Sequence, residues 1–145
     1  MDVADILRKD HRAIDKLLTE LEMVEDYYDK RETFQKIKEL IEIHAYIEES
    51  FFYPLLQNKP EFEEVIEDAL DDFQEMGVLL EEIDAMEEDA EDFDDRIAEL
   101  VECVQSHVEL EEDEIFPALK NAFSEQELQH IATTLDEARK SAEAA

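Results

Sequence analysis

Apolar residues recur along this chain at the spacing of helices that bury one face. In the first run, Ile14, Leu18 and Leu21 share a face, and charged residues fill most positions between them. The same period returns in residues 34–51, 65–83 and 97–108, and in a shorter run at 128–135. The pattern predicts an all-α protein with four long helices and a short C-terminal fifth helix.

Turn and capping signals predict where these helices begin and end. Residues 27–30 interrupt the first period, and Pro60 suits the first turn of the third helix. Residues 87–92 are acidic and have no period, so we expect a loop there. Ser124 and Glu127 form a capping box for the fifth helix. Connections this short favour an antiparallel up-down four-helix bundle.

The second half of the chain repeats the first. The two motifs, which share every offset, are His44, Glu48, Glu49, Tyr53, Pro54 and Leu56, and His107, Glu111, Glu112, Phe116, Pro117 and Leu119. The apolar positions of the first and third helices also align, and this alignment matches His11 with Phe73. Duplicated helical hairpins pack about a pseudo-twofold axis, which brings equivalent positions together in the middle of a bundle.

Two His–Glu pairs at a spacing of four residues carry the candidate chemistry. His44 with Glu48, and His107 with Glu111, each place an imidazole and a carboxylate on one helix face. Both pairs lie on apolar stripes, where unpaired carboxylates are costly to bury unless a metal ion binds them. His11 falls on the inward face of the first helix as well. The predicted metal ligands are therefore His11, His44, Glu48, His107 and Glu111.

Three imidazoles and two carboxylates form a mixed nitrogen and oxygen donor set. Such a set favours iron, and manganese or zinc are also compatible with it. Glu48 and Glu111 come from facing helices and are well placed to bridge two ions, as carboxylates do in helix-bundle di-iron sites. Two octahedral ions need about a dozen donor atoms and these residues supply about seven, so small ligands can enter the open positions.

Length and charge limit the classes of partner. The 145 residues suit a single domain, residues 1–145, and 44 acidic against 13 basic residues give a net charge of -31. This charge disfavours nucleic acid and anionic membranes, and fits either adaptation to high salt or an ordinary acidic helical surface. Cys103 is the only cysteine, and we find no signal peptide and no apolar run that could span a bilayer. We therefore expect a soluble cytoplasmic protein.

The motifs resemble those of the haemerythrin-like, or HHE cation-binding, domains. The resemblance is carried by Asp10-His11, His44-x3-Glu48-Glu49, Tyr53-Pro54, His107-x3-Glu111-Glu112 and Phe116-Pro117, and covers residues from about Asp5 to Arg139. It implies a non-haem di-iron centre, oxo- or hydroxo-bridged, held by one His from each of four helices and two Glu. Carried over by position, it assigns the same five residues as ligands, and it implies a small partner molecule, O2, NO or peroxide.

One position departs from the family pattern. Phe73 stands where the third helix should supply a histidine, so the second metal position loses an imidazole. Glu75 could replace it only if the helix were distorted at Gly77. Simple reversible O2 transport is therefore less expected than sensing, redox chemistry or metal binding. Two alternatives stay open: an enzyme that consumes peroxide or NO, and a degenerate structural or partner-binding bundle with a partly occupied site.

Four other residues admit two interpretations each. Pro54 and Pro117 lie ten residues after a ligand histidine, and either kink a continuous helix near the site or mark its end. We favour a kink, since both halves carry it. Cys103 lies one turn from His107 and is expected to pack as a small apolar residue rather than react. His130 lies outside the repeat and is expected at the surface or in packing.

Overall fold

A computed structural model describes residues 2–87 and 91–144 of the chain, which form an all-α bundle. The α-helices are α1 (Val3–Met23), α2 (Tyr27–Ile47), α3 (Tyr53–Leu56), α4 (Glu63–Ala85), α5 (Phe93–Leu110), α6 (Leu119–Ala122) and α7 (Glu125–Ala144). Two π-helical turns, Glu48–Phe52 and Glu111–Ile115, and two 3-10 turns, Pro60–Phe62 and Phe116–Ala118, adjoin them. The first π turn joins α2 to α3, and the second leads from α5 towards α6. The chain therefore forms four long helical rods, which are α1, α2 with α3, α4, and α5 with α6, followed by α7.

The rods pair as two helical hairpins, as the repeat predicts. The α1 helix packs on α2, and α4 packs on α5, while α7 packs against α1 and α2. Their inward faces form one core of buried apolar side chains that continues along the whole bundle. The predicted four-helix bundle with a fifth helix is therefore confirmed. Within the described ranges, no helix is both long and apolar enough to cross a membrane.

The connection between the first two rods is shorter than the sequence suggested. Residues 27–30 do not interrupt the helices, because α2 begins at Tyr27, and the break is confined to residues 24–26. Asp26 is the N-cap, and its side chain accepts a hydrogen bond of 3.3 Å from the backbone N–H of Asp29. Tyr27 then packs against Phe93 with ring centroids 5.7 Å apart. The cap and this contact outweigh the weak helical preference of the paired tyrosines.

The C-terminal helix is longer than its apolar period indicated. The capping box is confirmed, since the Ser124 backbone N–H donates to Glu127 at 2.9 Å and the Glu127 N–H donates to the Ser124 hydroxyl at 3.1 Å. From there α7 runs for 20 residues. Its buried face continues through Ala132 and Ala138, whose small side chains carry little hydrophobic signal. Of the predicted acidic loop, residues 88–90 lie outside the described residues.

The two prolines of the repeat follow wide turns rather than simple kinks or helix ends. The backbone N–H of Tyr53 bonds to the carbonyl of Glu48, and that of Phe116 to Glu111, which is the π pattern of five residues. Pro54 and Pro117 have no N–H to donate one turn back, so the helix loses a bond there and widens just before it. Each π turn begins at a predicted ligand glutamate.

Candidate metal centre

The five predicted ligands come together at the centre of the bundle. His11 comes from α1, His44 from the last turn of α2, and His107 from the last turn of α5, while Glu48 and Glu111 open the two π turns. Their potential ligand atoms all lie within 4.8 Å of one another. None of the five residues is more than 5% exposed. The π turns therefore place both carboxylates beside the imidazoles one turn earlier.

One oxygen of Glu111 faces all three imidazoles. Its Oε1 lies 3.1 Å from Nε2 of His11, 2.7 Å from Nε2 of His107 and 3.6 Å from Nε2 of His44. Ligands bound at about 2.0 to 2.2 Å to one ion lie about 3 to 3.5 Å apart, depending on the coordination geometry. The spacing at Glu111 therefore fits a shared ion.

The carboxylate of Glu48 reaches two histidines with two different oxygens. Its Oε1 contacts Nε2 of His44, and its Oε2 lies 3.5 Å from Nε2 of His107. A carboxylate that presents one oxygen to each of two imidazoles has the arrangement of a bridge between two ions. A second ion bound in this way would lie beside His107.

Several polar atoms of the cluster are buried without a hydrogen-bond partner among the described residues. They are both carboxylate oxygens of Glu48, Oε2 of Glu111, Nε2 of His44, Nδ1 of His11 and both ring nitrogens of His107. Nε2 of His107 is close to Glu111 but lacks the angle of a hydrogen bond. Buried polar groups are normally satisfied, because an unpaired one costs free energy. The carboxylate oxygens of Glu48 and Glu111 and the Nε2 atoms of His44 and His107 converge on one point, where a cation would satisfy them, so these residues fit a metal.

The charges of the histidines and glutamates in the cluster shift one another's pKa values. Burial by itself lowers the pKa of His44, but the negative charges of Glu48 and Glu111, whose oxygens lie close to its Nε2, outweigh it and raise the pKa to about 10. The same balance raises the pKa of His107 to about 9. Burial acts to raise the pKa of Glu111, yet the charge of the adjacent His107 and the hydrogen bond from His11 hold that pKa well below its ordinary value. Without metal, protons on the imidazoles therefore balance the carboxylate charge.

Metal binding should release protons from these histidines. At neutral pH the metal-free protein carries protons on His44 and His107, because their pKa values are raised to about 10 and about 9. A metal needs neutral imidazole, so filling the whole cluster should release about two protons, one from each of these histidines. Below pH 9 the affinity should rise about tenfold per pH unit for each proton released. Titration calorimetry with zinc in buffers of different ionisation enthalpy measures this release. Binding without proton release at pH 7 would show neutral histidines in the metal-free protein.

Phe73 occupies the place that the repeat assigns to a fourth imidazole. Its side chain is buried, and its ring centroid lies 4.2 Å from that of His107 and 6.2 Å from that of His44. The α4 helix runs without interruption through Gly77, and Glu75 is exposed on another face. The structure therefore places Phe73, and not Glu75, against the cluster.

A second group of potential ligands lies outside the main cluster. Asp72, Glu75 and Cys103 come together there, and of these only Cys103 is buried. Its thiol donates to the backbone carbonyl of Asp72 at 3.5 Å, and burial raises its pKa to about 12. Cys103 thus packs as a protonated thiol, as expected from the sequence. His130 is exposed, which also agrees with the expectation.

Two residues near the site were not identified as functional from the sequence. Asp10 accepts a hydrogen bond from Nδ1 of His44 at 2.9 Å. The Tyr53 hydroxyl is buried, and burial together with the charges of Glu48 and Glu111 raises its pKa well above its ordinary value. Both residues belong to the repeated motifs, but only the packed bundle shows that they face the cluster.

The bundle and its buried His/Glu cluster define a metal-binding helical protein. Residues 2–119 match the family described as Hemerythrin HHE cation binding domain, and the chain belongs to this family. The resemblance read from the motifs is therefore confirmed.

Two curated relatives align along nearly the whole chain. A DNA nickase from Nostoc sp. is 32% identical over 139 residues, which make up 96% of this chain but 39% of the nickase. An uncharacterized hemerythrin-like protein from Schizosaccharomyces pombe is 24% identical over 140 residues, 95% of this chain and 69% of that protein. The chain thus spans well under half of the first relative. No solved structure matches the chain significantly.

Proposed function

We propose that this protein binds one or two iron ions at the central cluster and responds there to O2, NO or peroxide. The observation that carries the proposal is the set of five buried side chains whose ligand atoms lie within 4.8 Å of one another. We assign His11, His44, Glu48, His107 and Glu111 as the ligands. Their nitrogen and carboxylate donors suit iron, while manganese and zinc remain compatible.

Bound iron would supply a redox-active Lewis acid with open positions for a small molecule. The chain's own residues would prepare the site for it. The three imidazoles and two carboxylates would fix the binding geometry, and Phe73, which is buried against His107 and His44, would limit the access of water. The Tyr53 hydroxyl, held protonated by its raised pKa, can donate to the carboxylate of Glu48 or Glu111.

Elemental analysis tests the metal directly. We expect protein purified without added metal to contain iron, between about one and two ions per chain, since the site supplies fewer donors than two octahedral ions require. Adding NO to the reduced protein should change the optical and electron paramagnetic resonance spectra. Protein that is free of metal as isolated and stays so after anaerobic incubation with ferrous iron would contradict the proposal.

Two measurements on the same purified protein test the alternatives of an enzyme and of a degenerate bundle. Steady consumption of added peroxide or NO with an electron donor would indicate an enzyme rather than a binding or sensing protein. Less than one ion per chain would favour a degenerate bundle, an alternative supported by the contact of Phe73 with His107, whose ring centroids are 4.2 Å apart.

We do not include the nickase activity named for the Nostoc relative in the proposed function of this chain. This chain covers 39% of that protein. A net charge of -31 also opposes the approach of a DNA backbone, since non-specific DNA binding depends on basic side chains.

A further inference from the structure

The three site histidines differ in what holds the ring nitrogen that points away from the cluster. Nδ1 of His44 lies 2.9 Å from Oδ2 of Asp10. Nδ1 of His11 and Nδ1 of His107 are buried without a hydrogen-bond partner in the described part of the chain. A carboxylate on the outer nitrogen fixes the tautomer and the orientation of a metal-binding imidazole. His44 is therefore oriented for binding before any metal arrives.

Asp10 is itself held by a residue from the far end of the chain. Its Oδ1 forms an ion pair with Nη2 of Arg139, and its Oδ2 faces His44. The Asp10 side chain is only 7% exposed and that of Arg139 18% exposed. A carboxylate buried this deeply needs a partner for its charge. Arg139 supplies it and leaves one oxygen free to receive the His44 proton.

Among the described residues, the second half of the bundle has no equivalent of this arrangement. Asp72 is the repeat counterpart of Asp10 and lies close enough to His107 for the histidine's charge to act on its pKa. Its side chain is partly exposed, and Nδ1 of His107 stays unpaired within the described ranges. The α7 helix, which carries Arg139, packs on α1 and α2. The asymmetry therefore comes from the helix that follows the repeat.

We infer that Arg139 is a positioning residue for the metal centre. Through Asp10 it holds His44 in the orientation needed to bind the ion on the His11 and His44 side. The inference rests on the proposed metal site, and it gives α7 a role beyond packing. The family model matches residues 2–119, so Arg139 lies beyond the residues that this model covers.

Zinc affinity of matched charge variants tests the inference. Arg139→Met removes the ion pair to Asp10, and Lys140→Met removes the same charge from the same helix. Lys140 pairs with Asp136 at 3.0 Å on the surface, and its side chain is 74% exposed. Competition with a chromophoric chelator should show zinc binding weakened about 10- to 100-fold in Arg139→Met, the usual cost of losing an outer partner of a ligand histidine. Lys140→Met should bind zinc as wild type does.

A second measurement separates positioning from general stability. In the zinc-loaded wild type, nitrogen-15 NMR should show a protonated Nδ1 on His44 with a slowly exchanging proton. In Arg139→Met this proton should exchange faster and its signal should shift, while the His107 signals stay in place. Arg139→Lys keeps a cation near Asp10 and should recover part of both the affinity and the signal. A purely structural role would lower stability without this selective change.

The outcomes are distinct. Unchanged zinc affinity and an unchanged His44 signal in Arg139→Met would overturn the inference, and so would an equal loss in Lys140→Met. Should Arg139→Met fail to fold, Asp10→Asn carries the same expectation, because it weakens the acceptor of the His44 proton with little change in shape. A wild-type protein that binds no zinc and no iron would instead overturn the proposed metal site.

Discussion

Removal of either repeated histidine should sharply lower the metal content of the purified protein. His44→Ala takes an imidazole from the side that also has His11, so the tighter ion should be lost and little metal should remain. His107→Ala should lose the weaker position first and keep part of the metal. Elemental analysis of the purified variants measures both effects. Each variant should also melt at a lower temperature, since binding energy at a buried site is partly folding energy.

His130→Ala is the matched control for these variants. His130 is exposed on α7, away from the cluster, so its removal should leave metal content and melting temperature unchanged. Wild-type metal content in both His44→Ala and His107→Ala would mean that the metal binds elsewhere. Losses in all three variants would indicate that histidine number, and not position, determines binding.

The fold and the position of the cluster could be predicted because they are encoded locally and then repeated. The helical period showed which faces turn inward. The identical offsets after His44 and His107 required that equivalent residues meet near the bundle axis. His11 could be added since its own helix places it on the buried face. These inferences need only periodicity and symmetry, which do not depend on the details of packing.

Features that depend on tertiary contacts could not be predicted. Pro54 and Pro117 signalled a disturbed helix, but whether the backbone bends, ends or widens depends on how the following turn packs. The start of α2 was misplaced because the pair of tyrosines hid the capping role of Asp26. The contact of Arg139 with Asp10 joins the last helix to the first, and no local pattern marks such a pair.

The identity of the side chain at position 73 on α4 should determine how many ions the site holds. Beside His107 the wild type offers Phe73 in place of an imidazole, so an ion there has that histidine and the shared carboxylates alone. On the other side, an ion has both His11 and His44, and His44 is fixed by Asp10. We therefore expect unequal occupancy in the wild type, with the ion near His107 lost first to chelators.

Phe73→His should restore the fourth imidazole. We expect the metal stoichiometry to rise towards two and the optical spectrum to approach that of a bridged di-iron centre. Without metal, replacing a buried aromatic ring by a smaller polar one should reduce the free energy of unfolding by roughly 1 to 3 kcal/mol. Added iron should more than recover this loss, because the new ligand binds only in the folded state. Iron titration and thermal melts with and without metal measure both effects.

Phe73→Leu provides the matched control for that variant. It opens a similar space beside His107 and supplies no donor atom, so it should be destabilised like Phe73→His but gain neither metal nor stability from added iron. A gain of metal in both variants would mean that space, and not an imidazole, limits the second position. Two equally tight ions in the wild type, or no gain in Phe73→His, would show that position 73 does not determine the stoichiometry.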